Sequence, residues 1–162
     1  MNTVEIIRVA SQYPAFCWQG WQQAMRRTDE CRGLGNMEYY GTGALGIPGL
    51  MPPRIQALID TPDTVTWLLG CGEHDWMQAF LTAHVIPGRV TVHCAYVKRP
   101  WRREGQASAL LSMALAAGGP GAELRHSAKP AQKWAVAWLD ALGSKYVRPA
   151  AFLAANGRGV TK

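Results

Sequence analysis

A short basic segment is the part of the sequence best equipped for chemistry. It reads VKRPWRREGQA over residues 97–107 and connects a run of strand-forming residues to a run of helix formers. A turn that enters a helix in this way aims unpaired backbone N–H groups and the positive end of the helix dipole at one point. Gly105 and Ala107 let an anion approach the backbone, and Arg102 and Arg103 can add charge-assisted hydrogen bonds. The segment predicts a diphosphate cradle; the alternative is a solvated basic turn that only begins a helix.

The elements that must position this segment follow from the apolar pattern. Residues 3–10 are rich in β-branched residues and predict a strand, and strand-like runs follow at 64–71, 76–86 and 89–97. Further strand candidates lie at residues 122–127 and at about 145–153. Apolar positions at helical spacing predict helices at residues 14–27, 105–117 and 130–142. Another short helix is predicted to open at Pro52-Pro53 and to end at Thr61-Pro62-Asp63. Short turns join the second to fourth strands, which indicates an antiparallel meander. The order predicts a mixed α/β fold, with a mostly antiparallel sheet of six to seven strands and helices on both faces.

The composition sets broad bounds. The 162 residues, 48% of them hydrophobic and with a net charge of +6, predict one domain over residues 1–162 and exclude a disordered chain. No apolar run is long enough for a membrane span, and Glu5 and Arg8 interrupt the N-terminal apolar residues, so no secretory signal is indicated. The cysteines form no C-x-x-C pair and the histidines have no metal-ligand spacing. We therefore expect no metal site, reduced core cysteines and a cytoplasmic location.

The basic segment is similar to a known signature. Arg102-x-x-Gly105-x-Ala107 matches the R/Q-x-x-G-x-G/A pattern of the GNAT acyltransferases, and it lies after the fourth predicted strand and at the start of the third predicted helix, as in that family. The resemblance covers residues 64–153, and the earlier residues agree in the order of elements. The stretch YVKRPWRREG is also similar to small GNAT-like proteins that bacteriophages commonly encode. If the protein is phage-encoded, we expect it in the host cytoplasm or in the virion.

A downstream segment supports the same resemblance and also departs from it. Gln132, Ala135 and Gly143 keep the spacing of the family's N-x-x-A-x-x-x-Y-x-x-x-G segment. Leu139, however, stands where the family often has the tyrosine that protonates the departing thiolate. Tyr146, just beyond that helix, is the nearest substitute.

The basic turn also departs from the family pattern. Arg99 stands at the usual proline position, Arg103 replaces the glycine expected after the first arginine, and Gln106 replaces a small or aliphatic residue.

The resemblance implies acetyl-CoA as the cofactor. It would lie where the parallel strands 89–97 and 122–127 splay apart, with its pantetheine arm along the backbone of Ala95, Tyr96 and Val97. The diphosphate would bind the N–H groups of Arg102, Arg103, Glu104, Gly105, Gln106 and Ala107. A backbone N–H near Val97 would polarise the thioester carbonyl while an amine attacks it directly.

Several residues are candidates for proton transfer or acceptor binding. Strict alternation along 89–97 places Val92, Cys94 and Tyr96 on one face and His93, Ala95 and Val97 on the other, so that Tyr96 or His93 could reach the acceptor. Glu73, in a polar turn with His74 and Asp75, is either a base or a solvated residue. The Glu38-Tyr39-Tyr40 stretch either lines the acceptor pocket or packs its glycine-rich loop onto the sheet. His93 likewise has a structural alternative, as a hydrogen-bonded strand residue.

Two functions of different class remain. One is an N-acyltransferase that moves an acetyl group to an amine of a small molecule or a protein. The other is a non-catalytic GNAT-fold module for binding or assembly, such as a virion component. Nucleic-acid binding is possible but not favoured, because the basic residues outside the 97–107 segment are scattered over several elements. The sequence gives no indication of the oligomeric state.

Overall fold

A mixed sheet of six strands organises the described part of the chain. The computed structural model describes residues 2–25, 53–71, 76–130 and 133–157. The strands are β1 (Asn2–Ile7), β2 (Thr64–Cys71), β3 (Trp76–Ile86), β4 (Arg89–Val97), β5 (Glu123–His126) and β6 (Lys145–Tyr146). They lie side by side in sequence order; β1 to β4 are antiparallel, whereas β4, β5 and β6 are parallel. The predicted mixed sheet is confirmed, and the bounds of β2, β3 and β4 agree with the predicted ones.

Helices cover both faces of this sheet. They are α1 (Ala15–Met25), α2 (Pro53–Asp60), α3 (Gln106–Gly118), α4 (Lys133–Ala141) and α5 (Pro149–Asn156). On one face, apolar side chains of α1, α2 and α5 pack around Leu68 and Phe80. On the other, α3 and Trp138 of α4 pack around Trp67 and Leu81. Of the helices in these described ranges, none combines the length and the apolar character needed to cross a bilayer.

The C-terminal strand predicted over residues 145–153 is wrong beyond its first two residues. Strand β6 ends at Tyr146, and the chain then forms helix α5. Pro149 begins this helix, where its missing N–H needs no partner and its fixed φ is already helical. The alanines and leucine that follow are good helix formers. Phe152, only 3% exposed, fastens α5 to the sheet.

A β-bulge changes which side chains of β4 share a face. Thr82 pairs with Cys94 but Ala83 pairs with Val92, so His93 is an extra residue on β4. Val92 therefore packs on the α3 face, while the ring of His93 packs against Phe152 of α5, with the centroids 4.6 Å apart. The strict alternation predicted from the sequence is wrong at this point, because it groups Val92 with Cys94.

Helix α1 approaches the sheet closely at Gly20. A Cβ atom at this position would lie 2.5 Å from a ring carbon of Phe80 and 2.8 Å from a ring carbon of Tyr96. Real side chains do not tolerate such distances, so glycine is required for this packing. The helix thereby holds the end of β4 in place through the ring of Tyr96.

Candidate functional site

The parallel strands β4 and β5 pair along the first half of β4 only. Arg89 to Val92 pair with Glu123 to His126, and the Ser127 N–H donates to the Val92 carbonyl at 2.9 Å. Beyond this bond β4 continues to Val97 without pairing to β5. The predicted splay is therefore confirmed, and it leaves an open wedge beside the second half of β4.

Two residues of β4 turn their backbone groups toward this wedge. The Lys98 N–H donates to the Gln78 carbonyl on β3 at 2.8 Å. Since successive residues of a strand alternate in direction, the peptide groups of Val97 and Ala95 point to the opposite edge. Tyr96, predicted as a third backbone partner of the cofactor, instead faces β3, where it pairs with Phe80. Among the described residues no strand pairs with this edge, which presents the peptide groups of Ala95 and the N–H of Val97.

Arginine 102 ties the basic turn to this edge. Its Nε donates to the Val97 carbonyl at 2.9 Å, and its guanidinium lies 5.9 Å from the centre of the Tyr96 ring. Tyr96 in turn contacts Phe16 of α1 edge to face, with the ring centres 6.4 Å apart. The turn, the end of β4 and α1 thus form one packed unit around Tyr96. Tyr96 therefore packs against the Arg102 guanidinium and helps to hold it next to Val97.

The backbone of the turn opens toward the start of α3. Arg102 donates its own N–H to the Arg99 carbonyl at 3.3 Å, so this group is already used. Ala109 is the first helical donor, bonding the Gly105 carbonyl at 2.9 Å. The N–H groups of Gln106, Ala107 and the following serine precede it and have no acceptor within the helix. Of the N–H groups predicted to bind a diphosphate, that of Arg102 is thus already bonded. The N–H of the serine that follows Ala107 is an additional donor without an acceptor in the helix.

The conformation of the turn depends on left-handed residues. Gly105, which caps α3, has φ +84°, and a Cβ atom there would meet nothing within 4 Å. Arg103 also has a positive φ, +68°, which is uncommon for a residue with a side chain. These two residues turn the chain so that the N-terminus of α3 lies next to the last residue of β4.

Gln106 closes the side of the cradle. It is 8% exposed and donates from Nε2 to a carboxylate oxygen of Glu104 at 3.2 Å. Its Oε1 is buried and has no hydrogen-bond partner among the described residues. A buried amide oxygen without a partner is unusual. The hydrogen bond to Glu104 fixes the position of the Gln106 amide at the start of α3.

His93 marks the point where the strands separate. Its Nδ1 shares a hydrogen bond with Ser127 Oγ at 2.8 Å, linking β4 to the end of β5. The residue is 1% exposed, and burial lowers the pKa of the His93 imidazole to about 3, with a smaller contribution from the charge of His84. A base this weak and this enclosed does not suit removal of a proton from an amine. The sequence carries no signal for the role of Ser127, because a single serine after a strand is commonplace.

The other predicted catalytic residues lie in different places. Tyr146 on β6 pairs with His126, whose own partner on β4 is Val92, so it lies two strands from the closed end of the wedge. Its ring is 5.7 Å from that of His126, and the Lys129 ammonium lies 4.8 Å from its centre. Glu73 falls outside the described residues.

Three further predictions also concern residues that the structure does not describe. These are Gln132 of the downstream segment and the stretches at 38–40 and 74–75. Leu139, at the family's tyrosine position, is half-buried on α4.

The sheet order, the splayed parallel pair and the helix that begins at its open end define the GNAT fold. Among solved structures, the ribosomal-protein-S18-alanine N-acetyltransferase from Escherichia coli is similar over 88% of this chain and 77% of its own, with 15% identity and a TM-score of 0.52.

Two further structures are similar at lower scores. An aminoglycoside acetyltransferase from an uncultured soil metagenomic sample, in complex with sisomicin, has 12% identity, 86% coverage of both chains and a TM-score of 0.49. A GNAT-family acetyltransferase from Streptococcus pneumoniae has 14% identity, coverage of 88% of this chain and 86% of its own, and a TM-score of 0.45. No protein-family model and no curated protein matches the sequence. At 15% identity, the likeness to the Escherichia coli enzyme establishes the fold alone.

Proposed function

We propose that this protein is an acyl-CoA-dependent N-acetyltransferase. One observation carries the proposal: the free edge of β4 at Ala95 and Val97 leads directly to the unpaired N–H groups at the start of α3. An extended amide-bearing arm that ends in a diphosphate fits this sequence of groups. The arm would pair with the strand edge and the diphosphate would bind the helix N-terminus, as CoA requires.

The residues of the cradle fit such an anion. Gly105 presents open space where a side chain would stand, so the backbone is accessible. Arg103 is exposed beside it, and Arg102 is half-buried and bonded to Val97. Positive charge next to unpaired N–H groups stabilises a diphosphate by charge-assisted hydrogen bonds.

The chemistry would take place near the closed end of the wedge. When bound there, acetyl-CoA supplies an acetyl group activated as a thioester. One backbone N–H of this edge, near Val97, would donate to the oxygen of the reacting carbonyl, which gains negative charge as an amine attacks. The protein otherwise contributes alignment of the two reactants. We assign Tyr146 as the candidate proton donor to the leaving sulfur, because β6 brings it level with Val92.

A non-catalytic binding or assembly module, such as a phage virion component, is the competing function. The specific observation in its favour is Leu139, which cannot protonate a thiolate and stands where a tyrosine is expected. The enclosed, weakly basic His93 adds to this. Both functions keep the GNAT fold, so turnover is the measurement that separates them.

Calorimetry with CoA tests the binding step. Gly105→Glu places a negative side chain at φ +84° in the cradle and should abolish detectable CoA binding. Gly121→Glu is the matched control, because Gly121 also has a positive φ of +70° and open space around it but lies after α3. Equal affinity in wild type and Gly105→Glu would refute the cradle.

A thiol-release assay tests the reaction. With acetyl-CoA and a panel of amines, wild type should release CoA faster than buffer, and Tyr146→Phe should slow this release while leaving CoA affinity unchanged. CoA binding without release against every amine class, including peptides, would favour the module. Release that is unaffected in Tyr146→Phe would remove Tyr146 as the proton donor.

A further inference from the structure

A second pocket lies at the other end of β4. It is a cavity of about 140 Å³ between the sheet and α5. Its polar wall comes from the strands, with His84, Arg89 and Arg125, and Phe152 of α5 closes its apolar side. Arg89 is the first residue of β4, eight residues before the wedge edge at Val97. The strand rise therefore separates the two sites by about 26 Å.

The strand residues around this pocket carry an excess of positive charge. Glu123 accepts ion pairs from Arg125 at 3.0 Å, from Lys145 at 3.1 Å and from Arg89 at 3.6 Å. A single carboxylate thus faces three cations, and two positive charges remain uncompensated. Asp63, the other carboxylate close to His84, is exposed on the preceding turn. A concave space lined by Arg89 and Arg125 beside this excess of positive charge attracts a small anion.

His84 sets a second requirement, in addition to negative charge, for a molecule that binds in this pocket. It is 4% exposed, and its ring packs edge to face on Phe152 with the centres 5.1 Å apart. The Pro62 carbonyl lies nearby, and the Nδ1 atom of His84 is buried without a hydrogen-bond partner among the described residues. Burial lowers the pKa of the His84 imidazole, so the ring is neutral and one of its two nitrogens is an acceptor. A bound molecule with a hydroxyl group can donate a hydrogen bond to that nitrogen.

We propose that this pocket binds inorganic phosphate. Phosphate is a small oxyanion that carries its own hydroxyl at neutral pH. Its oxygens would accept from Arg89 and Arg125, and its P–OH group would donate to His84 Nδ1. The cavity has room for it, since one water takes about 30 Å³ of liquid volume. The site shares no residue with the wedge, so it goes beyond the proposed transferase function and can be tested without CoA.

Sulfate is the discriminating probe. It has the size and shape of phosphate and a full double charge at neutral pH, but it has no hydroxyl. Charge alone would favour sulfate, whereas an acceptor at His84 favours phosphate. Titration of the full chain at pH 7 in CoA-free buffer of constant ionic strength should show one phosphate bound, about tenfold tighter than sulfate.

Paired variants locate the site. Arg125→Gln should weaken phosphate binding about tenfold, since it removes a charged donor. Lys145→Gln is the matched control: it removes the same charge and a bond to the same Glu123, but Lys145 does not line the cavity, so affinity should fall far less than in Arg125→Gln. Ala155→Leu fills the cavity from the exposed surface of α5 and keeps every charge; it should abolish binding even if Arg125→Gln fails to fold.

Three results would overturn the proposal. Equal affinity for phosphate and sulfate would show that His84 accepts no hydrogen bond from the ligand. Equal losses in Lys145→Gln and Arg125→Gln, with none in Ala155→Leu, would show a diffuse charge effect outside the cavity. Absence of binding at millimolar phosphate would show that the cavity holds only water.

Discussion

The two halves of β4 differ in how their backbone is used. From Arg89 to Val92 the strand has a partner on each side, β3 and β5. From Ala95 to Val97 it is paired with β3 alone, and its other edge faces the wedge. The change occurs at His93, where a bulge on the β3 side coincides with the last links to β5 through Ser127. One strand thus provides sheet stability at one end and unpaired peptide groups at the other.

The difference between the two halves teaches that unpaired peptide groups arise where regular strand pairing stops. Unpaired peptide groups in a sheet interior would destabilise the fold unless water or a ligand satisfied them. The structure confines them to two residues, Ala95 and Val97, next to a helix start whose first N–H groups have no acceptor within the helix. The neighbouring links at His93 and Ser127 then determine how far the open region extends.

Protonation of His93 should disrupt its link to Ser127, which marks where β4 and β5 separate. We expect this change to have the largest effect on the free energy of unfolding. The unfolded chain binds a proton near pH 6.5, whereas the folded chain binds it only near pH 3. Stability is therefore full above pH 6.5 and falls as the pH drops, by roughly 2–3 kcal/mol at pH 4.5. His84 and His126, whose pKa values burial also lowers, act in the same direction. Urea unfolding at several pH values measures the slope, and His93→Gln should flatten it. An identical slope in both proteins would contradict the assignment.

Removal of the Ser127 hydroxyl should have the next largest effect. In Ser127→Ala the Nδ1 of the enclosed His93 loses its hydroxyl partner, which costs about 1–3 kcal/mol. Ser144→Ala is the matched control: Ser144 Oγ makes the same bond to His126 Nδ1 at 2.7 Å, but His126 is half-buried and water can replace the hydroxyl. The control should lose about 1 kcal/mol or less. Equal shifts of the urea midpoint would show that enclosure of the His93 link is unimportant.

Loss of the Arg102 side chain should have the smallest effect and should act on the open half alone. Arg102→Gln removes the bond to the Val97 carbonyl and a charge beside the cradle, so the Kd for CoA should rise about tenfold with little change in stability. Arg99→Gln removes an exposed charge from the same turn. If calorimetry gives the same Kd for the two variants, charge alone matters and the bond to Val97 does not.

The sequence predicted the regular parts of the molecule well. Residues 64–71, 76–86 and 89–97 form strands with those bounds, because alternating β-branched residues between glycine and proline turns leave little choice. Residues 149–153 were predicted as part of a strand, yet Pro149 begins a helix there. Local composition could have given this answer, since alanine-rich segments after proline favour helices.

The details of the site were harder to predict. The bulge at His93 depends on the register between β3 and β4, which no local pattern encodes. The link between His93 and Ser127 joins residues 34 positions apart and depends on the same register. The helix start at Gln106, in contrast, was predicted to within one residue from consecutive residues, because a turn with small residues that leads into helix formers is a local feature.

The left-handed backbone of Arg103 has a consequence for how this protein can change. A side-chain-bearing residue at φ +68° is strained by about 1–2 kcal/mol relative to glycine. Arg103→Gly should therefore raise the melting temperature and remove a positive charge from the rim of the cradle. Selection for heat resistance alone should replace this arginine with glycine, whereas selection for CoA-dependent turnover should retain it.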